Sequence, residues 1–362
     1  MRIAQVAPLH EAVPPVSYGG TERIVSYLTE ELVAQGHEVT LFASADSLTA
    51  AHLESISSRA LRLDGTCDDP VPWHLVLLER LAKRAAAFDI IHFHCEFLHL
   101  PLARRLPVPS LTTLHGRLDL AGLEALFQEY AEHPLISISD SQRRPLPRAN
   151  WLATIHHGLP TTLYKPAASP SKDYLLFLGR ISREKRLDRA IEIARLGGLP
   201  LKVAAKIDRG DREYFEQVIR PMLETPGVEF LGEVGEAEKG PLLSNALALL
   251  FPIDWPEPFG LVMAEAMAAG TPTIAYPCGS VPEVLDHGVT GILVRSIAEA
   301  VAALPLAEGI DRRACRETFL KRFSARRMAE DYLAAYRRLT LPAALPLSQR
   351  RTSTRDEFRA GE

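Results

Sequence analysis

The chain begins with a short apolar run, "RIAQVAP", then a loop, then "TERIVSYLTEELVAQG" and a second apolar run, "HEVTLFAS". Two apolar runs of strand length around an amphipathic helix make a βαβ unit, whose parallel strands require a right-handed crossover. Thr21 is the expected N-cap of that helix and Gly36 its stop. "DIIHFH", "PSLTTLHG" and "LISISD" follow as further strands. They are continuous apolar runs, as strands covered on both faces must be. At residues 159–173, "LPTTLYKPAASPSKD", the chain turns rich in Pro, Ser and Ala, and the domain boundary is placed there, at 160/161. The alternation then restarts: strand "YLLFLGRI", helix "RLDRAIEIARLG", strand "LKVAAKI", helix "REYFEQVIRPML", strands "VEFLGEV" and "LALLFPI", the helix after Phe259 and strand "TPTIAYP". The expected fold class is α/β: two doubly wound domains, 1–160 and 161–323, facing each other across a cleft. An Arg-rich amphipathic helix at 324–340 is expected to return towards the first domain. The stretch 341–362 lacks periodicity and is expected to be a mobile tail.

Net charge and cysteine usage narrow the partners. A formal charge of −4 argues against a broad nucleic-acid footprint. The four cysteines are scattered, with no CxxC, which favours reduced thiols and a cytoplasmic location. The N-terminal apolar run is too short for a signal-peptide core. No apolar run approaches the roughly 20 residues that span a bilayer. Peripheral membrane association and oligomeric state stay open.

The stretch "DWPEPFGLVMAEAMAAGTP", Asp254 to Pro272, carries the sharpest chemical signal. Gly260 opens a helix that Gly270 and Pro272 close. The helix is apolar all round and therefore belongs in a core, yet Glu265 sits in its middle. An unpaired buried carboxylate costs several kcal/mol or takes up a proton. Glu265 needs a partner: a structural cation, backbone amides or the hydroxyls of a ligand. Glu257 lies eight residues earlier, in a proline-bracketed loop.

Ligands of doubly wound sheets bind at the carboxyl ends of the strands. After the first strand, Gly19 and Gly20 in "SYGGTE" allow close backbone approach ahead of a helix N-terminus that can receive an anion. A plain turn would have the same residues. In "LGRISREKRLDRA", Arg180 and Lys185 flank a strand-to-helix turn and suit a diphosphate, though loop cations are often only solvated. His115, at the end of "TLHG", is either a cleft residue or a satisfied core histidine. His92, His94 and Cys95 in "HFHCEF" lack a matching second pair of zinc ligands. The absence of GxGxxG after the first strand argues against a nicotinamide dehydrogenase. GxSxG and the Walker lysine motif are absent too.

These residues resemble the retaining glycosyltransferases of family 4, which have the GT-B fold of two Rossmann-like domains. The resemblance covers roughly residues 1 to 340. Its most specific part is the spacing of Glu257 and Glu265 within "EPFGLVMAEAMAAGTPTIAYPCGSVPEVLDHGVTGILV". "FLGRISREKRLDRAIE", "YGGTER", "TLHG" and "IHHGLP" add to it. The resemblance implies a donor bound by the second domain and an acceptor bound by the first. Glu265 would hold ribose hydroxyls. Glu257, with backbone amides around Phe259, Gly260 and Leu261, would hold the sugar. Arg180 and Lys185 would neutralise the diphosphate, with Gly19 and Gly20 against it, and His115 would approach the sugar. Arg186 stands where a glycine often follows "EK", and could touch phosphate or face solvent. "VAAKID" replaces a glycine-rich turn and brings in Lys206 as a further candidate. The implied activity is retaining transfer of a hexose from a UDP- or GDP-sugar to an acceptor hydroxyl, with no metal and no cofactor, in glycan, polysaccharide or glycoconjugate synthesis. An epimerase and a non-catalytic nucleotide-sugar-binding protein are the alternatives on the same fold.

Overall fold

In a computed structural model of the protein, which describes residues 1–16 and 19–340, the apolar runs pair into two all-parallel sheets. The first contains β1 (Arg2–Val6), β2 (Glu38–Ala43), β3 (His52–Ser55), β4 (Ile90–Phe93), β5 (Ser110–Thr113), β6 (Leu135–Ser137) and β7 (Trp151–Thr154). Its order is β3-β2-β1-β4-β5-β6-β7. The second contains β8 (Leu175–Arg180), β9 (Leu201–Lys206), β10 (Val228–Gly232), β11 (Ala248–Phe251), β12 (Thr273–Ala275) and β13 (Gly291–Leu293), in the order β10-β9-β8-β11-β12-β13. Strand order reverses beside β1 in one sheet and beside β8 in the other. Those reversals open the crevices in which doubly wound sheets bind ligands.

Helices cover both faces of each sheet, so the central strands are buried throughout: β1, β4, β5, β8 and β11 expose almost nothing of their apolar side chains. Three strands escaped the sequence reading: β3, β7 and β13. The first two are edge strands with half-exposed side chains, and β13 has only three residues, too short a run to stand out. The opening helix runs Gly20–Ala34 with Gly19 at the N-cap position, which corrects the assignment of Thr21 to that place. Thr21 lies inside the first turn because the glycine pair itself makes the turn from loop to helix. The stretch 341–362, expected to be a tail, lies outside the described residues.

The C-terminal helix Ala325–Thr340 packs on the first sheet, not the second. Met328, Tyr332, Leu333 and Tyr336 join Ile3, Ile24, Leu28, Ile90 and Leu111 in one buried cluster. The crossing is anchored by backbone bonds. Leu159 N–H donates to the Phe323 carbonyl at 2.9 Å, and Ala325 N–H donates to the Leu159 carbonyl at 2.8 Å. Arg327 adds a bond to the His156 carbonyl at 2.6 Å. The first domain's core is thus completed by the last described segment of the chain. Leu333→Ala should therefore cost about 2–5 kcal/mol, as large-to-small core changes do. Amide exchange should rise in β1 and β4 and stay unchanged in β8 and β11. Loosening confined to the second sheet would contradict this assignment of the helix.

Candidate active site

The carboxyl ends of the two sheets face one another across a cavity of about 380 Å³. From the first domain it is lined by Gly19, Gly20 and His115. β8 ends on Arg180, the turn after it contributes Lys185, and the end of β9 contributes Lys206. The Asp254 loop and the helix after it contribute Glu257, Phe259, Gly260, Leu261 and Glu265. Eleven of the twelve site residues named from sequence therefore surround one space. Arg186 is the exception.

Arg186 takes a left-handed backbone conformation, φ 55°, at the N-cap of the helix Leu187–Gly197. That conformation explains the glycine common at this position, since L-residues with side chains occupy it at a cost. Its guanidinium bonds Asp188 at 2.8 Å and Asp254 at 2.7 Å and does not line the cavity. Arg189 reaches Asp254 as well, at 2.9 Å. The Asp254 N–H donates to the Glu184 carbonyl at 2.9 Å. These contacts pin the Glu257 loop to the Lys185 turn. Arg186 is thus a clamp between two loops, and the phosphate role left open for it does not fit its placement.

The clamp has an electrostatic consequence. Lys185 forms a close ion pair with Glu257 Oε2, which also accepts from Trp255 Nε1 at 2.9 Å. Lys185 also lies over the Trp255 ring, 5.2 Å from its centroid. Behind the loop, Gly279 (φ 62°) comes so close that a Cβ there would stand 2.3 Å from the Glu257 nitrogen. Only glycine permits this approach. Arg180 is held more loosely, by Asp208, Asp211 and Glu184 at 3.5 to 3.8 Å, and its buried Nε has no hydrogen-bond partner. Lys206 pairs with Asp208 at 3.3 Å.

Glu265, 3% exposed, lines the same cavity. The helix Leu261–Ala268 is set by Gly260, φ 76°, where a Cβ would strike Met263 at 2.7 Å. One Glu265 oxygen, Oε1, has Tyr164 Oη at 3.5 Å and Lys239 Nζ at 3.7 Å. The other, Oε2, is buried with no hydrogen-bond partner. The carboxylate therefore has cationic surroundings but unsatisfied acceptor capacity, which suits a hydroxyl-bearing ligand.

Arg23, Tyr164, Glu236 and Lys239 escaped the sequence reading. Arg23 belongs to the first domain and Glu236 to the second, and they pair across the cleft at 2.8 Å. Burial alone would lower the Lys239 pKa. The charges of Glu265 and Glu236 outweigh it and hold the value above the ordinary lysine range. Arg23 could have been suspected from its place in the first turn after Gly20. Lys239 lies on a helix of mixed polarity, Glu236–Asn245, that carries no site signal. His115 hydrogen-bonds His94, Nε2 to Nδ1, at 2.9 Å. Burial pushes its pKa down to about 3, so the ring is neutral at pH 7. The ring nitrogens of His92 bond Tyr336 and Thr113, and those of His94 bond Gln5 and His115, so both rings are engaged by neighbours.

Two family models match the chain, one for each domain. "Glycosyltransferase Family 4" matches residues 18–151 and "Glycosyl transferases group 1" matches residues 163–312. A glycogen synthase of Mycobacterium tuberculosis is 27% identical over 390 aligned positions, covering 90% of this chain and 93% of its own. A phosphatidyl-myo-inositol mannosyltransferase of Mycolicibacterium smegmatis is 27% identical, covering 81% of each. Among solved structures, the Anabaena protein HepE in complex with UDP-glucose superposes with a TM-score of 0.70 at 19% identity, covering 94% of this chain and 100% of that one. Each domain thus matches its own part of one enzyme family, and the chain belongs to the group 1, family 4 glycosyltransferases, transferases with the GT-B fold.

Proposed function

We propose that this glycosyltransferase moves a hexose from a nucleotide diphosphate sugar to an acceptor hydroxyl with retention of the anomeric configuration. The observation that carries the proposal is the pairing of groups around one cavity: a buried carboxylate with spare acceptor capacity, Glu265, and the cations Arg180 and Lys185 all line it. A nucleoside diphosphate has matching groups, since its ribose hydroxyls donate to a carboxylate and its diphosphate needs positive charge. The HepE complex, which holds UDP-glucose, supports a UDP-sugar as the donor.

In this proposal Glu265 accepts from the ribose hydroxyls. Arg180 and Lys185 stabilise the leaving diphosphate, with the helix N-terminus at Gly20 beside it. Glu257 and the backbone amides near Phe259, Gly260 and Leu261 hold the sugar. Lys185 then has two anions to satisfy: Glu257, which it already holds, and the diphosphate. Lys206 and the neighbouring Ala204 and Ala205 line the remaining wall, where the base would lie. The acceptor enters from the first domain, and narrowing of the cleft keeps water from competing with it. The leaving phosphate oxygen takes the acceptor's proton as the new bond forms on the same face. Positive charge from side chains serves in place of a metal ion.

Incubating a donor with and without acceptors separates transfer from epimerisation and from simple binding. Product NMR should show the donor's anomeric configuration preserved, with activity undiminished in excess EDTA. An inverted product excludes the front-face route, and EDTA loss restored by magnesium excludes the metal-free one.

The nucleotide is identified by the shift it gives in thermal unfolding, with UDP, GDP and ADP compared. Glu265→Gln should then weaken that nucleotide by roughly tenfold to a hundredfold, as expected for a hydrogen bond to a charged group. Unchanged affinity by calorimetry would return Glu265 to a purely structural role.

Arg180→Ala and Lys185→Ala should lower kcat more than they weaken donor binding, because leaving-group charge grows in the transition state. A variant with normal kcat removes that residue from the mechanism.

A further inference from the structure

A continuous line of hydrogen bonds joins the C-terminal helix to the cleft. Tyr332 Oη and Thr113 Oγ1 are 2.9 Å apart, Thr113 Oγ1 and His92 Nε2 2.7 Å, and His92 Nδ1 and Tyr336 Oη 2.8 Å. Gln5 Nε2 donates to Tyr336 Oη at 3.0 Å, and Gln5 Oε1 lies 2.9 Å from His94 Nε2. His94 Nδ1 and His115 Nε2 are 2.9 Å apart. The last atom of the line, His115 Nδ1, is buried without a partner, and its ring borders the cavity. Gln5, His92, His94, Thr113, Tyr332 and Tyr336 are all fully buried, so bulk water cannot replace a missing donor.

Hydroxyls and neutral imidazole nitrogens can take either role in a hydrogen bond. The Gln5 amide cannot: its nitrogen only donates and its oxygen only accepts. Its orientation therefore sets the direction of the bonds that run through His94 to His115. Tyr336 accepts from Gln5 and passes its own proton to His92 Nδ1, and His92 donates from Nε2 to Thr113. On the other side Gln5 Oε1 accepts from His94 Nε2–H. His94 Nδ1 is then a lone pair, and His115 must donate to it from Nε2. A neutral imidazole carries one N–H, so His115 Nδ1 is left as a lone pair. Burial keeps all three rings neutral by depressing their pKa values.

We propose that Gln5, held by Tyr336 and acting through His94, is a positioning residue that fixes His115 beside the cleft as its Nε2–H tautomer, with Nδ1 a lone pair. A ring so protonated can only accept at Nδ1, so a donor group that meets it must bring a proton, as a sugar hydroxyl does and a phosphate oxygen does not. The choice of ligand group rests on the nucleotide-sugar proposal; the tautomer does not. A segment distant in sequence thereby sets which kind of group His115 Nδ1 can bond. Turning the Gln5 amide over would reverse the bonds through His94 and make His115 Nδ1 a donor, so the two states are chemically distinct.

Long-range ¹H–¹⁵N spectra of protein labelled with ¹⁵N-histidine report which nitrogen of each ring carries the proton. Histidine signals are assigned with His94→Asn and His115→Asn. In the unliganded wild type, His94 and His115 should both be protonated at Nε2. Tyr336→Phe removes the acceptor that holds the Gln5 amide, so His115 should show both tautomers and kcat should fall roughly threefold to tenfold, the range for one hydrogen bond. Gln5→Met breaks the line at the same point and should mix the His115 tautomers likewise, giving a second variant should Tyr336→Phe not fold. Wild-type His115 protonated at Nδ1 overturns the proposal. An unchanged His115 signature in the folded variants overturns the part assigned to Tyr336 and Gln5. The spectra need no sugar donor, so failure of every donor in an activity assay would count against the glycosyltransfer proposal alone.

Discussion

Parallel pairing is the constraint from which the rest of this structure follows. A parallel strand must return to the same end of the sheet through a crossover, and the crossover helices cover both faces. No wide sheet face is left for polar chemistry. The free backbone groups and the loops collect at the carboxyl ends, and the reversals beside β1 and β8 open a crevice in each sheet. Two such sheets set end to end place Gly20, His115, Arg180, Lys185, Glu257 and Glu265 around one cavity.

Inside that cavity the charges are arranged by loops that hold one another. Arg186 and Arg189 grip Asp254, and the Asp254 amide grips the Glu184 carbonyl. Gly279 lets a third segment close against the Glu257 backbone. Lys185 and Glu257 consequently meet in a partly desolvated pair, where a Coulomb attraction is stronger than at a surface but each charge costs more to bury. Glu265 is treated differently. Lys239 and Tyr164 stand at 3.7 and 3.5 Å, too far to saturate its oxygens. One loop therefore carries a carboxylate already bonded to a lysine, and the adjoining helix carries one with spare acceptor capacity.

The C-terminal helix couples these elements. It leaves the second domain at Phe323, bonds Leu159 on the way, and buries Met328, Tyr332, Leu333 and Tyr336 in the first. The same helix face that supplies apolar area also supplies the two phenols bonded into the histidine line behind the cleft. Packing and hydrogen bonding thus act through one element, which makes the first domain's stability depend on residues more than 300 positions from its first strand.

The alternation of apolar and amphipathic segments was enough to give two parallel-sheet domains, because burial on both faces forces continuous apolar runs. Glycine and proline marked the helix that holds Glu265, and a lone acid among apolar residues marked Glu265 itself. Those signals are local in the chain, so they survive without tertiary knowledge. The short strands β3, β7 and β13 were not legible, since edge exposure and brevity leave too little pattern to read. Arg186 was left undecided for a related reason: its sequence position fits a phosphate contact, but a left-handed backbone and Asp254, 68 residues away, turn it outward. The Arg23–Glu236 pair, the Lys185–Glu257 pair and the line from Tyr336 to His115 exist only in the folded chain. Each joins residues separated by dozens to hundreds of positions, and a hydrogen bond or ion pair depends on distances of a few ångströms that no spacing along the sequence encodes.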